Sequence, residues 1–218
     1  MSPQEEEYIV AHSMPEPPAM ARLYRDTHLH RLYSRMCCDP LQGRVLVMLT
    51  KMIKPRRILE LGTFSGYSAL CFAEGMPAGA ELHTVEIDDE AEPALRRVFG
   101  ESPRSADIHL HIGDALEVVD SISAEPWDLV YIDANKRIYT EYYERVFPHV
   151  SPGGYILADN TLWSDAVLDP ARNDAQTAGI RAFNDRVAAD PRVETVMLLL
   201  YDGLTIIRKK TDEEENHL

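Results

Sequence analysis

The stretch "RILELGTFSGYSAL", residues 57–70, decides the fold. Its apolar start predicts a buried strand, and a turn with Gly62 and Gly66 then leads into a helical segment. Gly62 lets the backbone turn sharply, and Gly66 lets helix and strand approach closely. Outward from this unit, strands and helices alternate along the chain. This alternation predicts an α/β fold with a mostly parallel sheet and helices on both faces.

The predicted strands after Pro55 number five, and a helix follows each of the first four. The strands lie near residues 56–61, 81–86, 107–112, 128–132 and 154–158. The helices between them lie near residues 66–74, 89–99, 114–121 and 138–148. After a further helix near 176–189, Asp202-Gly203 separates two apolar runs, which predicts a hairpin. The parallel sheet should therefore end in an antiparallel pair.

Three parts of the chain differ in character. Residues 1–54 form a helical extension, in which "PPAMARLYRDTHLHRLYSRM" and "PLQGRVLVMLTKMI" are predicted helices over 17–36 and 40–53. Residues 55–210 form the α/β domain, and 211–218 an acidic tail. We expect the extension to lie on the acceptor side and to supply oligomer contacts. The irregular segment 161–175 is polar and long enough to be functional.

Charge and hydropathy restrict the partners. The 218 residues contain 22 Lys and Arg against 36 Asp and Glu, a net charge of −14. Such an acidic chain matches a nucleic acid poorly, because a polyanion needs many Lys and Arg contacts. No run approaches the roughly 18 apolar residues of a membrane span. The N-terminus also lacks the basic-then-apolar order of a signal peptide. We therefore predict a cytoplasmic protein with a small-molecule substrate and no membrane contact.

The turn after the first strand favours a particular cofactor. The glycines do not spell G-x-G-x-x-G, the pattern that a dinucleotide pyrophosphate needs. Glu86 ends the second strand at a spacing that lets it accept hydrogen bonds from ribose hydroxyls. Glu60 fits a cationic ligand better than a phosphate. S-adenosylmethionine (SAM) carries a sulfonium, an ammonium and a ribose but no phosphate, so we predict SAM as the cofactor, with "GDAL" (113–116) nearby.

Oxygen-bearing side chains follow the fourth and fifth strands. Asp133 ends "WDLVYID", and Asp159 and Asn160 end "GGYILADN". In open α/β sheets ligands bind at the carboxyl ends of the strands. Two carboxylates and an amide are hard donors that suit Mg²⁺, and also Ca²⁺ or Mn²⁺, rather than zinc. The alternative is that the aspartates only cap helices.

A phenolic acceptor would be almost fully protonated at neutral pH, because the pKa of an isolated phenol is near 10. A divalent ion would help to deprotonate it. A bound cation favours the phenolate, which can then attack a sulfonium methyl group. Lys136 could take the proton if it were neutral, and otherwise it would stabilise the phenolate. Both roles remain open at this point.

Six blocks together resemble the cation-dependent O-methyltransferases of the caffeoyl-CoA and catechol type. The blocks cover roughly residues 35–210 and read "LELGTFSGYSAL", "EIDDE", "GDAL", "YIDANKRIYTEYYE", "GGYILADNTLW" and "DGLTIIRK". The resemblance implies a Rossmann-like, seven-stranded SAM-dependent methyltransferase fold with an antiparallel last strand, and a homodimer. It implies cofactor contacts at Glu60, Gly62, Thr63, Ser68, Glu86, Ala115 and Asp133. It implies metal ligation by Asp133, Asp159 and Asn160, with Lys136 and Asp133 catalytic.

Three positions depart from the family pattern. Asn135 replaces an aspartate that contacts the cofactor in many relatives. Cys38 stands where plant members carry a cofactor-contacting threonine, and Val196 where the catechol enzyme has an acceptor-orienting acid. The predicted function is methyl transfer from SAM to a small catechol-like or hydroxycinnamoyl acceptor, assisted by a divalent metal. The alternatives are a tRNA hydroxyuridine O-methyltransferase and a SAM-binding protein without catalysis.

Overall fold

A seven-stranded sheet forms the centre of the computed structural model, which describes residues 3–215. The strands are β1 (Arg57–Leu61), β2 (Glu81–Glu86), β3 (Ile108–Ile112), β4 (Trp127–Ile132), β5 (Val150–Asp159), β6 (Val193–Leu198) and β7 (Leu204–Lys209). Their order is β3-β2-β1-β4-β5-β7-β6. The first five strands pair in parallel, whereas β7 pairs antiparallel with both β5 and β6. The predicted mostly parallel sheet with an antiparallel last strand is confirmed.

Helices cover both faces of the sheet. They are α1 (Pro3–Ala11), α2 (Pro18–His30), α3 (Pro40–Ile53), α4 (Tyr67–Gly75), α5 (Glu92–Gly100), α6 (Ala115–Ile122), α7 (Tyr139–Val146), α8 (Ala175–Ala188) and the short α9 (Asp212–Glu215). No helix in residues 3–215 is long and apolar enough to cross a membrane.

The core forms two layers, because the central strands are apolar on both faces. Ile58 and Leu82 pack with Phe72 of α4 on one face. Leu59 and its neighbours on the other strands pack with α6, α7 and α8, including Phe183. All five side chains are fully buried. Each such side chain contributes about 1.5–3 kcal/mol by burial, so the sheet is a rigid platform for the ends of its strands.

The N-terminal region differs from the prediction in one respect. The predicted helix over 17–36 is too long, because α2 ends at His30. Tyr33 then takes a left-handed conformation with φ 57°, and a short 3₁₀ turn leads to Cys37. Asp39 caps α3 by accepting a hydrogen bond from the backbone N–H of Leu41 at 2.9 Å. The helical propensity of 31–36 yields here to the tertiary fold, which turns this segment toward a cavity.

Both acidic ends contain helices that their charge did not predict. At the N-terminus, residues 3–11 form α1. At the other end, the Glu214 carboxylate accepts a hydrogen bond from the backbone N–H of Thr211 at 2.8 Å and pairs with Arg208 at 3.0 Å. The Thr211 hydroxyl accepts from the Glu214 N–H in return, so the pair forms a capping box. Residues 216–218 of the predicted tail lie outside the described part of the chain.

Candidate active site

A cavity of about 2120 Å³ lies at the carboxyl ends of β1, β2, β4 and β5. It is where an open α/β sheet places its ligands. The sheet brings most of the predicted site residues to its wall. These are Gly62, Glu86, Ala115, Asp133, Lys136, Asp159 and Asn160.

Gly62 sets the turn after β1. Its φ of +101° is rare for residues with a side chain, and a Cβ would lie 2.2 Å from the carbonyl oxygen of Asp133. The backbone N–H of Asp133 in turn donates to the carbonyl of Leu61 at 2.9 Å. The glycine therefore lets the end of β1 lie directly against the end of β4. This contact joins the predicted cofactor turn to the predicted metal ligand.

Glu60 lies behind this turn, fully buried. Its carboxylate accepts hydrogen bonds from the hydroxyls of Ser68 at 2.6 Å and Thr84, and Thr84 is 2.6 Å from the hydroxyl of Thr63. Burial nevertheless raises the pKa of Glu60 to about 8. In the described chain, Glu60, Thr63 and Ser68 are not among the residues that line the cavity. They support the turn from behind, and their direct contact with a cofactor stays a prediction.

Glu86 reaches the cavity itself. One carboxylate oxygen accepts from the backbone N–H of Phe64 at 2.7 Å, and the other from that of Asp88 at 3.0 Å. These bonds fix the carboxylate at the end of β2 beside the glycine turn. Next to it, Asp114 caps α6 by accepting from the N–H of Leu116 at 2.8 Å. The Glu86 carboxylate is therefore held in a fixed position on the cavity wall.

Asp133 and Asp159 bring two carboxylates to the same wall. Burial raises the pKa of Asp133 to about 7. The charge of Lys136 lowers this pKa, and the charge of Asp159 raises it. One Asp159 oxygen accepts hydrogen bonds from the Gln42 amide at 2.7 Å and the Tyr131 hydroxyl at 2.8 Å. The side chain of Asp159 is thus held by neutral donors, which orient it without neutralising it.

Lys136 is buried beside this pair. Its ammonium nitrogen donates to Asp133 at 2.5 Å and to the hydroxyl of Tyr139 at 2.7 Å. That hydroxyl donates to the main-chain carbonyl of Asp159 at 3.0 Å. A Cβ at Gly179 would lie 2.4 Å from the carbonyl of Lys136, so glycine lets α8 approach this turn closely. One chain of hydrogen bonds therefore links Asp133, Lys136, Tyr139 and Asp159.

The donor set fits a hard divalent cation. Two buried carboxylates repel each other, and the charge of Asp159 raises the pKa of Asp133, so a cation between them would relieve this repulsion. Asn160 adds an amide oxygen from a left-handed backbone position, with φ 56°, which asparagine tolerates better than most residues. Asp133, Asp159 and Asn160 could hold such an ion.

The sequence profile of the O-methyltransferase family matches residues 10–210. The chain belongs to this family. It is 34% identical to the O-methyltransferase ankF of Aspergillus thermomutatus, over 94% of this chain and 92% of that protein. It is 30% identical to the catechol O-methyltransferase of Niastella koreensis, over 77% and 80%. Plant caffeoyl-CoA O-methyltransferases match at 29% to 32%. The predicted cation-dependent O-methyltransferase family is confirmed.

A solved structure supports the same assignment. The O-methyltransferase of Bacillus cereus in complex with S-adenosylhomocysteine (SAH) superposes with a TM-score of 0.87. It is 28% identical and covers 94% of this chain and 96% of its own. The predicted methyltransferase fold and enzyme class are therefore confirmed.

Loop 161–175 and the N-terminal region form another part of the cavity wall. Trp163 and Arg172 of the loop line the cavity, as does Cys38 of the N-terminal region. Arg181 of α8 holds the loop by donating to main-chain carbonyls, among them Ala166 at 2.9 Å and Arg172 at 2.7 Å. The loop is therefore an ordered wall of the cavity.

The positions that depart from the family pattern have different surroundings. Asn135 lines the cavity, yet its side-chain oxygen accepts from the N–H of Arg137 at 3.2 Å and so caps the turn of Lys136. Burial raises the pKa of the Cys38 thiol well above its ordinary value, so this cavity-lining group is a neutral thiol. Val196 is half exposed on β6 and is not among the lining residues of the described chain.

Sequence reasoning missed several groups that shape the site. Gln42 and Tyr131 orient Asp159, Tyr139 positions Lys136, and Arg181 holds the loop. Asp202 was interpreted only as a hairpin residue, yet it lies in the cavity, where burial raises its pKa and a hydrogen bond from the Asn160 side chain opposes that rise. The only sequence signal for Gln42 was a polar residue within an apolar helix.

Proposed function

We propose that this O-methyltransferase transfers the methyl group of SAM to a hydroxyl of a small catechol-like or hydroxycinnamoyl acceptor, with the assistance of a divalent cation. One observation carries the proposal. Asp133, Lys136 and Asp159 line the same cavity as the glycine turn of β1. Lys136 is held there by hydrogen bonds to Asp133 and Tyr139. A cofactor and a metal-assisted acceptor could therefore meet there.

The cofactor assignment rests on Gly62, Glu86 and Ala115. The bare backbone at Gly62 and the fixed carboxylate of Glu86 form the part of the cavity where β1 and β2 end. A carboxylate at the end of β2 can accept hydrogen bonds from the hydroxyls of a ribose. The matched Bacillus cereus enzyme is described in complex with SAH. When ionised, Glu60 would favour the sulfonium and ammonium groups of SAM over a phosphate from behind the turn, and these cations would in turn lower its raised pKa.

The acceptor assignment rests on the carboxylate pair. We assign Asp133, Asp159 and Asn160 as the ligands of the cation, with Mg²⁺ as the first choice and Ca²⁺ or Mn²⁺ as alternatives. When bound there, the ion would favour the phenolate form of an acceptor hydroxyl, whose pKa is otherwise near 10. Two adjacent hydroxyls suit the ligand positions that three side chains leave open. The match to a catechol O-methyltransferase supports this class of acceptor.

Lys136, held by Tyr139, would act on the proton of the acceptor hydroxyl. The acceptor hydroxyl loses its proton as its oxygen bonds to the methyl carbon and the carbon–sulfur bond breaks, leaving neutral SAH. Lys136 lies 2.5 Å from Asp133 and 2.7 Å from the hydroxyl of Tyr139. It can therefore accept that proton when neutral, or stabilise the phenolate when charged. Asp133 contributes in both cases by fixing the lysine.

The proposal extends to the assembly. Several large apolar side chains of the N-terminal region are exposed, among them Leu32 at 83% and Met52 at 73%. They support a homodimer in which residues 1–54 supply contacts, since exposed apolar patches often mark interfaces. We also propose a cytoplasmic location.

The decisive experiment measures turnover with SAM and a panel of catechols, caffeoyl esters and bulk tRNA. We expect methylation of a catechol in Mg²⁺, loss of turnover in excess EDTA, and SAM binding that persists in EDTA. The Asp159→Ala variant should bind SAM and show no turnover at millimolar Mg²⁺. Full catechol turnover in EDTA would refute the role of the cation. Methylation of tRNA alone would refute the acceptor.

A further inference from the structure

A second cluster of potential ligands lies far from the candidate active site. Glu81 and His83 lie two residues apart on β2 and therefore on one face of the sheet. His109 of the edge strand β3 is the direct register partner of His83. Glu81 begins β2 and Glu86 ends it, so about 16 Å of strand separate the cluster from the cavity. The cluster plays no part in the proposed methyl transfer.

The distances suit a small ion. Nε2 of His83 lies 3.4 Å from one Glu81 oxygen, and Nε2 of His109 lies 3.9 Å from the other. One ligand atom from each of the three residues lies within 4.8 Å of the other two. Tetrahedral zinc with bonds of about 2.0–2.2 Å separates its ligand atoms by about 3.3–3.6 Å. Small side-chain rotations would therefore close the site around an ion.

His83 supplies an independent observation. Its Nε2 is buried and has no hydrogen-bond partner among residues 3–215, although Glu81 is near. Its other nitrogen, Nδ1, lies 3.0 Å from Nε2 of His111. When Nδ1–H donates to His111, a lone pair on Nε2 points into the cluster. Burial lowers the pKa of His83 to about 4, so this ring is neutral at neutral pH.

We propose that Glu81, His83 and His109 form a second metal site at the edge of the sheet, one that binds zinc rather than Mg²⁺. Two imidazoles and a carboxylate are typical zinc ligands, whereas Mg²⁺ prefers oxygen ligands alone. His111 can accept the Nδ1–H of His83, as a carboxylate or carbonyl accepts the second N–H of a zinc-binding histidine and orients the ring. The side chains of His109 and Glu81 are 43% and 39% exposed, so water can take the fourth position.

The guanidinium of Arg57 is the main positive charge that opposes the binding of a metal ion to this cluster. It donates to Glu81 at 2.5 Å and stacks over the ring of Trp127 at 4.0 Å. Its guanidinium occupies the Glu81 oxygen that lies 3.4 Å from His83 and leaves the oxygen that lies 3.9 Å from His109 for the ion. The positive charge of Arg57 weakens the binding of a metal ion, but its hydrogen bond also orients the Glu81 carboxylate. A bound zinc ion would join β2 to β3 at the edge of the sheet, where the ladder has no further strand on that side.

The test uses the untagged full-length protein in excess Mg²⁺, which occupies oxygen-ligand sites. Zinc bound per chain is measured by competition with a chromophoric chelator, and the melting temperature is recorded with and without zinc. We expect one Zn²⁺ per chain and a rise in melting temperature. His83→Ala and His109→Ala should each lose this ion. His111→Ala should bind it about 10–100-fold more weakly, as for other outer histidine partners.

Two controls separate this site from others. His30→Ala removes an exposed histidine on α2, and Asp159→Ala removes a ligand of the proposed catalytic cation. Both should keep the zinc ion. Unchanged SAM affinity shows that each variant is folded. Absence of zinc binding by the wild type, or equal binding by His83→Ala and His109→Ala, would overturn the proposal. Loss of the ion in Asp159→Ala would assign the zinc to the cavity instead.

Discussion

Replacing Gln42 with methionine removes one of two side-chain donors to a single oxygen of Asp159. The amide of Gln42 lies 2.7 Å from this oxygen, and the Tyr131 hydroxyl lies 2.8 Å from it. Both donors are buried, with Gln42 only 4% exposed. Methionine has a similar volume and no donor, so the substitution removes the hydrogen bond with little change in packing.

The expected magnitude follows from the charge of the acceptor. A hydrogen bond to a charged group contributes about 1.5–3 kcal/mol, which corresponds to about 10-fold to 150-fold in an equilibrium constant. Partners that orient metal ligands contribute about 10–100-fold to metal affinity. We therefore expect the Mg²⁺ concentration at half-maximal rate to rise by about 10–100-fold. SAM affinity should stay within about twofold, because the Gln42 side chain donates to Asp159 and Tyr131 and not to the glycine turn.

The assay records initial rates of catechol methylation against Mg²⁺ concentration at saturating SAM, and direct Mn²⁺ binding by electron paramagnetic resonance. Tyr131→Phe removes the other donor to the same oxygen and should give a similar shift. In the double variant the two effects should be non-additive, since both act through one carboxylate. These measurements separate metal binding from the chemical step.

Gln176→Met is the matched control. Gln176 lines the same cavity but is exposed at the start of α8. The same substitution there should leave the Mg²⁺ requirement unchanged. If Gln42→Met binds Mn²⁺ and responds to Mg²⁺ as the wild type does, Gln42 only packs α3 against the sheet and does not orient a metal ligand. An equal shift in Gln176→Met would show a nonspecific effect on the cavity.

Two further predictions concern the buried titratable groups. The folded pKa of Glu60, about 8, exceeds its ordinary value of 4.5, so the protein without ligands should lose stability as pH rises from about 5 to 8. Relative to Glu60→Gln, urea unfolding should show a fall approaching 1.4 kcal/mol per pH unit; parallel curves would refute the shift. Lys136→Met should keep Mn²⁺ binding while kcat falls about 100-fold, most at low pH, where phenolate is scarce. An unchanged kcat would exclude Lys136 from the reaction.

The sheet and the strand ends were predictable because their causes are local. Apolar runs between glycine turns define buried strands, and parallel strands carry their C-termini to one edge of the sheet. Asp133 and Asp159 could thus be placed on one wall before any coordinates were known. The hairpin at Asp202-Gly203 followed from turn chemistry alone. The bounds of these elements differ from the predictions mainly at the start of β5, which begins at Val150.

The orienting residues were not predictable, because their contacts join distant parts of the chain. Gln42 and Asp159 are 117 positions apart, and they meet only because α3 packs on the sheet face below β5. Glu60 shows the same limit. Its position at the end of β1 predicts contact with a ligand, whereas its hydrogen bonds to Ser68 and Thr84 follow only from the way the helix and the neighbouring strand pack around it.

The excess of acid in and behind the wall of this cavity is best explained by the ligands that we propose for it. Burial raises the pKa values of Glu60, Asp133 and Asp202, so each of these carboxylates is held at a cost in free energy when charged. The buried ammonium group of Lys136 contacts Asp133 and offsets part of this negative charge. A sulfonium, an ammonium and a divalent ion would each recover part of this cost by binding. Neutral SAH would recover less than SAM, so the same electrostatics would favour release of the product after methyl transfer.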